Sequence, residues 1–167
     1  TLPTLMDDLS VSVSYNMGAA GVESSTAYGV TYTGVEGLSV SYGAGEAASR
    51  TAALQGDLTS MSLSYAIGSF TAAISETESD LTTGTDEELS SFKISYTVTD
   101  DLSISYGEET HETSAQTVDE EFDAISVSYT TGGMTITAAQ YNAEGLANVA
   151  GAANDAERWK LSTSFAF

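Results

Sequence analysis

Cysteine is absent from the 167 residues, which excludes a disulfide framework and any thiolate metal site. Proline occurs once, at Pro3, while glycine occurs 15 times, so the chain has few breaks and builds its turns on glycine. Only four residues are basic (Arg50, Lys93, Arg158 and Lys160) against 24 acidic ones, giving a formal charge of −20. Phosphate backbones are held by clustered Lys and Arg, so nucleic acid is excluded as a partner. Disorder is the first suspicion at this charge, but 41% hydrophobic and 9% aromatic residues argue against it. No run of 18 apolar residues occurs, which rules out a membrane-spanning helix. It does not rule out a membrane barrel, whose strands alternate apolar with polar residues. The chain lacks a Met start and a charged segment followed by an apolar one, and so reads as a mature or truncated product.

What is present is a two-residue period. Leu9, Val11, Val13 and Tyr15 alternate with Ser10, Ser12 and Ser14. Related phrases recur at Leu38–Tyr42, Met61–Tyr65, Phe92–Tyr96, Leu102–Tyr106 and Ile125–Tyr129. Successive side chains of a strand point to opposite faces, so each phrase is a two-faced strand, and a helix of period 3.6 would mix the two sets. The pattern predicts an all-β chain of ten antiparallel strands at 9–17, 26–33, 38–45, 57–67, 70–77, 89–98, 102–108, 121–130, 134–142 and 157–167. Short turns (34–37, 68–69, 99–101, 131–133) alternate with long loops (18–25, 46–56, 78–88, 109–120, 143–156).

The apolar face is aliphatic in mid-strand and aromatic at the ends. Tyr15, Tyr28, Tyr42, Phe92, Tyr106 and Trp159 fall near the long loops. Tyr32, Tyr65, Phe70, Tyr96, Tyr129, Phe165 and Phe167 fall near the short turns. Two rows of amphipathic rings describe the two interfaces of a bilayer, and Tyr15, Tyr42, Tyr65, Tyr96, Tyr106, Tyr129, Trp159 and Phe165 form the expected aromatic girdle. Phe122 and Tyr141 break the parity and would need a bulge or a place inside the barrel. The other face is Ser, Thr and Ala, too small to plug a narrow barrel, so it suits a wide, water-filled lumen. Such lumens take about 16 to 18 strands. The expectation is a single transmembrane β-barrel domain over 1–167, with ten strands of sixteen and an incomplete N-terminal side. A tight ten-stranded barrel and closure by several chains are the alternatives.

The repeated strand phrases, the alternation of turns and loops, and the final strand Trp159-Lys-Leu-Ser-Thr-Ser-Phe165-Ala-Phe167 resemble the C-terminal part of a Gram-negative outer-membrane general diffusion porin of the alphaproteobacterial type. The resemblance implies a trimer in the cell outer membrane, in contact with membrane lipid and lipopolysaccharide. It also implies a terminal Phe167 read as an assembly signal by the outer-membrane assembly machinery. It places the short turns and the chain end in the periplasm and the long loops outside. The family's inward-folded constriction loop precedes the stretch that this chain matches.

Charge on the lipid face costs about 2–4 kcal/mol at the midplane, so Lys93, Arg158 and Lys160 are expected on the lumen side. There they join Ser95, Ser162 and Ser164 as pore-lining residues. The resemblance implies a basic wall patch opposed to acidic groups across the pore; the plainer alternative is solvated residues near the outer mouth. The acidic runs (Asp86-Glu87-Glu88; Glu108-Glu109 with Glu112; Asp119-Glu120-Glu121 with Asp123) are placed in loops. Asp119, Glu120, Glu121 and Asp123 are candidate Ca²⁺ ligands, but without the D-x-[DN]-x-[DN]-G spacing a cation-attracting fringe is the preferred reading. His111, the only histidine, is read as solvent-exposed in a loop, with no Ser-His-Asp order or Gly-x-Ser-x-Gly elbow beside it.

The expected function is passive diffusion of small hydrophilic solutes and ions, with cations preferred, no cofactor and no enzyme. Two rivals stay open: a soluble or surface-layer acidic all-β structural or adhesive protein, and a small outer-membrane barrel enzyme.

Overall fold

Ten strands follow one another in the computed structural model, which describes residues 7–18, 23–47 and 55–166. They are β1 Leu9–Asn16, β2 Ser25–Tyr32, β3 Leu38–Ala47, β4 Gly56–Ile67, β5 Phe70–Leu81, β6 Glu87–Thr99, β7 Leu102–Thr113, β8 Glu120–Thr131, β9 Met134–Glu144 and β10 Ala156–Phe165. All lie in one sheet in chain order, each antiparallel to its neighbours. The strict alternation fixes this arrangement locally, and tight turns close it. Gly68, Gly132 and Gly133 adopt φ of 56°, 54° and 81°, the left-handed backbone that two-residue hairpin turns require. The register slips once, at Thr97/Thr99 beside the β6–β7 turn. Among the described residues β1 and β10 pair on one side only. Among the described residues no helix is long and apolar enough to cross a membrane.

The described residues form no second layer on the sheet. Among the described residues Ala139 is the only buried hydrophobic residue. Leu63, Ile104 and Val127, mid-strand residues that a soluble sandwich would bury, are 37%, 39% and 40% exposed. The eight girdle aromatics all stand on this open apolar face, and Phe70 and Tyr96 lie against each other with ring centroids 4.4 Å apart.

Several strands run farther than the sequence pattern indicates. β5 continues to Leu81, β6 begins at Glu87, and β7 continues to Thr113. The loops expected at 78–88 and 109–120 shrink to 82–86 and 114–119. Paired neighbours hold these extensions: Glu78 faces Glu88, and Glu88 faces Glu112. Asp86 caps one of them, its Oδ1 accepting from Leu81 N at 2.8 Å while its own N–H donates to Ser114 Oγ at 2.9 Å. The 13 residues of β6 span roughly 40 Å, whereas a bilayer needs about 9–11 strand residues. The long-loop ends of β5–β8 therefore stand clear of the membrane-spanning band.

Candidate functional site

The face opposite the apolar one is built from hydroxyls. Its side chains pair across strands: Ser41–Ser62 at 2.7 Å, Ser75–Ser91 at 2.8 Å, Ser105–Ser126 at 2.8 Å, Ser128–Thr137 at 3.1 Å and Thr130–Thr135 at 2.9 Å. Directly opposed small hydroxyl pairs support the sheet and keep the face low and wettable. Lys93, Ser95, Arg158, Lys160, Ser162 and Ser164 all share this face, opposite Gly107, Ser105, Tyr141, Ala139, Thr137 and Thr135 respectively. Arg50 and Phe167 lie outside the described residues.

The two aromatics that break parity are here as well. Phe122 opposes Glu109 and Tyr141 opposes Ala124, with no bulge at either place. The Arg158 guanidinium stands 5.7 Å from the Tyr141 ring centroid, a cation–π contact. Lys93, Gly107, Ala124, Tyr141 and Arg158 form one continuous cross-strand row. A cavity of about 660 Å³ lies over it, and 12 of its 16 lining residues belong to the hydroxyl face, so this face is the concave one here.

Apart from Asp86 and Asp119, the acidic runs are not in loops. Glu87, Glu88, Glu108, Glu109, Glu112, Glu120, Glu121 and Asp123 all lie on strands, because cross-strand pairing carries the sheet through segments whose composition disfavours strand. Alternation then divides the charge between the faces. On described strands the hydroxyl face carries Glu87, Glu109 and Glu120 against Lys93, Arg158 and Lys160, a balance of three and three. The apolar face, above its hydrophobic band, carries Glu46, Asp57, Glu76, Glu78, Asp80, Glu88, Glu108, Glu112, Glu121, Asp123, Glu144 and Glu157, with no base among them. The same alternation separates the candidate Ca²⁺ ligands. Glu120 is on one face, Glu121 and Asp123 are on the other, and Asp119 is in the preceding turn. Asp123 is engaged by the Asn142 amide at 3.0 Å and 3.3 Å. Among the described residues no group of three or more His, Asp or Glu is placed to hold a metal. Like charges oppose one another on the acidic face, and Glu88, outside the membrane band, is held above the usual carboxylate range by partial burial and then by Glu112, Glu76 and Glu78.

His111 is on β7, not in a loop, and faces Glu120 across the hydroxyl face with Nδ1 3.3 Å from Oε2. This is the single ion pair among the described residues. Glu120 Oε1 also accepts from Ala147 N at 2.7 Å, and Asn148 Nδ2 donates to Val118 O at 3.2 Å. Together they fold the start of loop 145–155 over this face, with Ala147 and Asn148 in left-handed backbone (φ 59° and 55°). The His111 bond, aided by the Ala147 N–H, holds the Glu120 carboxyl below the usual range. A lowered carboxylate favours the folded form above its unfolded pKa, and that contribution disappears as pH falls through the lowered value. Protection of the Ala147 amide against hydrogen exchange is therefore expected at neutral pH and lost on acidification, and Glu120→Gln is expected to lose most of it at every pH. Equal protection in both proteins would refute the tether.

No family model and no curated protein matches the chain. Solved structures do. The chain is similar to in-vitro folded OmpT, an outer membrane protein of Vibrio cholerae, at 18% identity and a TM-score of 0.57, over 96% of this chain and 57% of that one. It is also similar to the outer-membrane expressed OmpT of Vibrio cholerae, at 17% identity and a TM-score of 0.55, over 83% of this chain and 51% of that one. The chain thus spans little more than half the length of either. The expectation that the chain is no enzyme does not stand. The matched structures are outer-membrane proteins named OmpT, and one barrel scaffold supports sites of unrelated chemistry. The exclusion also leaned on a loop histidine, whereas the imidazole is held on a strand by a carboxylate. What the geometry and the likeness share is the fold: ten antiparallel strands in chain order, the arrangement found in the wall of an outer-membrane β-barrel.

Proposed function

We propose that the hydroxyl face lines a water-filled passage through which small hydrophilic solutes and ions diffuse, while the apolar face meets lipid. The observation that carries this reading is the absence of a dry core: one face is exposed and apolar, the other is hydroxyl-covered, and Ala139 alone is buried among the described hydrophobic residues. A single-layer sheet with those faces is stable when acyl chains solvate one side and water the other. Unpaired edges are costly in lipid, so this reading requires the edges of β1 and β10 to be paired, with each other, with further strands or with another chain. The face balance bears on selection. With three acids and three bases on the passage side of the described strands, the wall itself is close to neutral, and cation preference comes from carboxylates of the connecting loops at the mouth, such as Asp86 and Asp119, not from those of the outward strand face. Folded protein in detergent is expected to produce discrete conductance steps in planar bilayers. A folded monomer in plain buffer, with no conductance, would overturn the reading.

A second reading rests on the His111–Glu120 pair. A carboxylate-oriented imidazole beside loop 145–155 has the arrangement needed to move a proton. Peptide or ester hydrolysis by the folded chain that disappears in His111→Ala would favour a barrel enzyme over the passage.

A further inference from the structure

We propose that the trough between Lys93 and the Tyr141–Arg158 pair is a binding subsite for sugar acids of monosaccharide size. The inference rests on the reading of the hydroxyl face as the one that solutes meet. Four observations carry it.

The first is shape. In the row from Lys93 to Tyr141 the two intervening residues are Gly107 and Ala124, and the next row toward the short turns places Ser105 and Ser126 below them. At about 4.8 Å per strand, Lys93 and Tyr141 rise some 14 Å apart on either side of a low floor. The cavity of about 660 Å³ above it is within the range of small-molecule sites.

The second is charge. Acidic residues outnumber basic ones 24 to 4, yet among the described residues neither Lys93 nor Arg158 has a carboxylate within ion-pair distance. In so acidic a chain, two cations that stay unpaired and lean into one trough remain available to a carboxylate from solution. Arg158 is further held over the Tyr141 ring, which keeps its fork oriented.

The third is aromatic placement. Phe122 and Tyr141 are the aromatics of the hydroxyl face among the described strands, and both border this cavity. An apolar ring surface amid hydroxyls suits a solute with a C–H face as well as polar edges.

The fourth is hydrogen-bonding capacity. Ser105 and Ser126 share one bond of 2.8 Å, and each retains acceptor lone pairs. Glu109 at the outer margin accepts from a hydroxyl and discourages an inorganic anion that cannot donate. A carboxylate for the cations, a ring face for Phe122 and hydroxyls for Ser105, Ser126 and Glu109 together describe a sugar acid. A neutral sugar lacks the first, and a simple carboxylate lacks the other two.

The test is isothermal titration of galacturonate, galactose and acetate into the whole chain folded in detergent, with strand circular dichroism confirming each variant. Galacturonate is expected to bind about tenfold more tightly than either galactose or acetate. Gly107→Leu fills the floor at a position where an added Cβ meets no atom closer than 3.4 Å, and is expected to abolish binding. Arg158→Gln is expected to weaken galacturonate about tenfold, and Phe122→Ala to weaken galacturonate without changing acetate. Equal binding of galacturonate and acetate, or undiminished binding in Gly107→Leu, would overturn the subsite. If Gly107→Leu does not fold, unchanged galacturonate affinity in Arg158→Gln and Phe122→Ala overturns it instead. Potassium chloride conductance without galacturonate binding defeats the subsite alone. Binding without conductance defeats the passage and leaves the subsite standing.

Discussion

Ile104→Lys is expected to destabilise the folded chain in a lipid bilayer by about 2–4 kcal/mol, the cost of a lysine on the lipid face near mid-membrane. Ser105→Lys, one residue further along β7, is expected to cost less than about 0.5 kcal/mol, as at a solvated surface. The two positions share a strand, a depth and a cross-strand neighbourhood, with Ile104 opposite Val127 and Ser105 opposite Ser126. Only the face differs. Reversible urea unfolding in vesicles measures both. A soluble sandwich predicts loss at Ile104 in buffer as well as in lipid. A sheet with lipid on the other side would reverse the order of the two variants. Similar losses at both positions would mean that neither face is solvated as described.

The second large effect concerns charge. Reversing the three bases of the hydroxyl face together (Lys93→Glu, Arg158→Glu and Lys160→Glu) turns a balance of three and three into six acids and no base on the described strands. The potassium-to-chloride permeability ratio is expected to rise by about threefold at 0.1 M salt, where the screening length is about 10 Å, and the effect should fade toward 1 M. Neutralising three acids of the other face (Glu76→Gln, Glu78→Gln and Glu88→Gln) changes the chain's net charge by half as much, and in the opposite sense, but leaves the wall untouched. It is expected to leave the ratio nearly unchanged. Reversal-potential measurements in a salt gradient separate the two. If the ratio follows net charge whichever face is altered, the division of charge between faces does not govern permeation.

That division could not be read from composition. The figure of −20 suggests an acidic pore, yet 12 of the 15 strand carboxylates point away from the hydroxyl face. Asp and Glu are poor strand formers, so Glu108-Glu109 and Asp119-Glu120-Glu121 look like loop ends. Pairing with an already aligned neighbour overrides that preference once the hairpin is nucleated. His111 is a case in kind: among glutamates it has the composition of a loop residue, and only the β7–β8 register sets it opposite Glu120.

The parity itself was legible throughout. Lys93 between Phe92 and Ile94, and Arg158 and Lys160 about Trp159, had to share the serine face, because alternation is a property of each strand alone. Phe122 and Tyr141 were visible as exceptions, and the unbroken register resolved them to the hydroxyl face. By itself, then, the sequence determined the strands, their two faces and the aromatic rows, since each depends on neighbours one or two residues away. The tertiary structure alone decided how far the strands run, which carboxylates oppose each other, and that Lys93, Gly107, Ala124, Tyr141 and Arg158 meet in one row. Those depend on register between strands from separate hairpins, which hydrogen bonding across the whole sheet sets and no local pattern encodes.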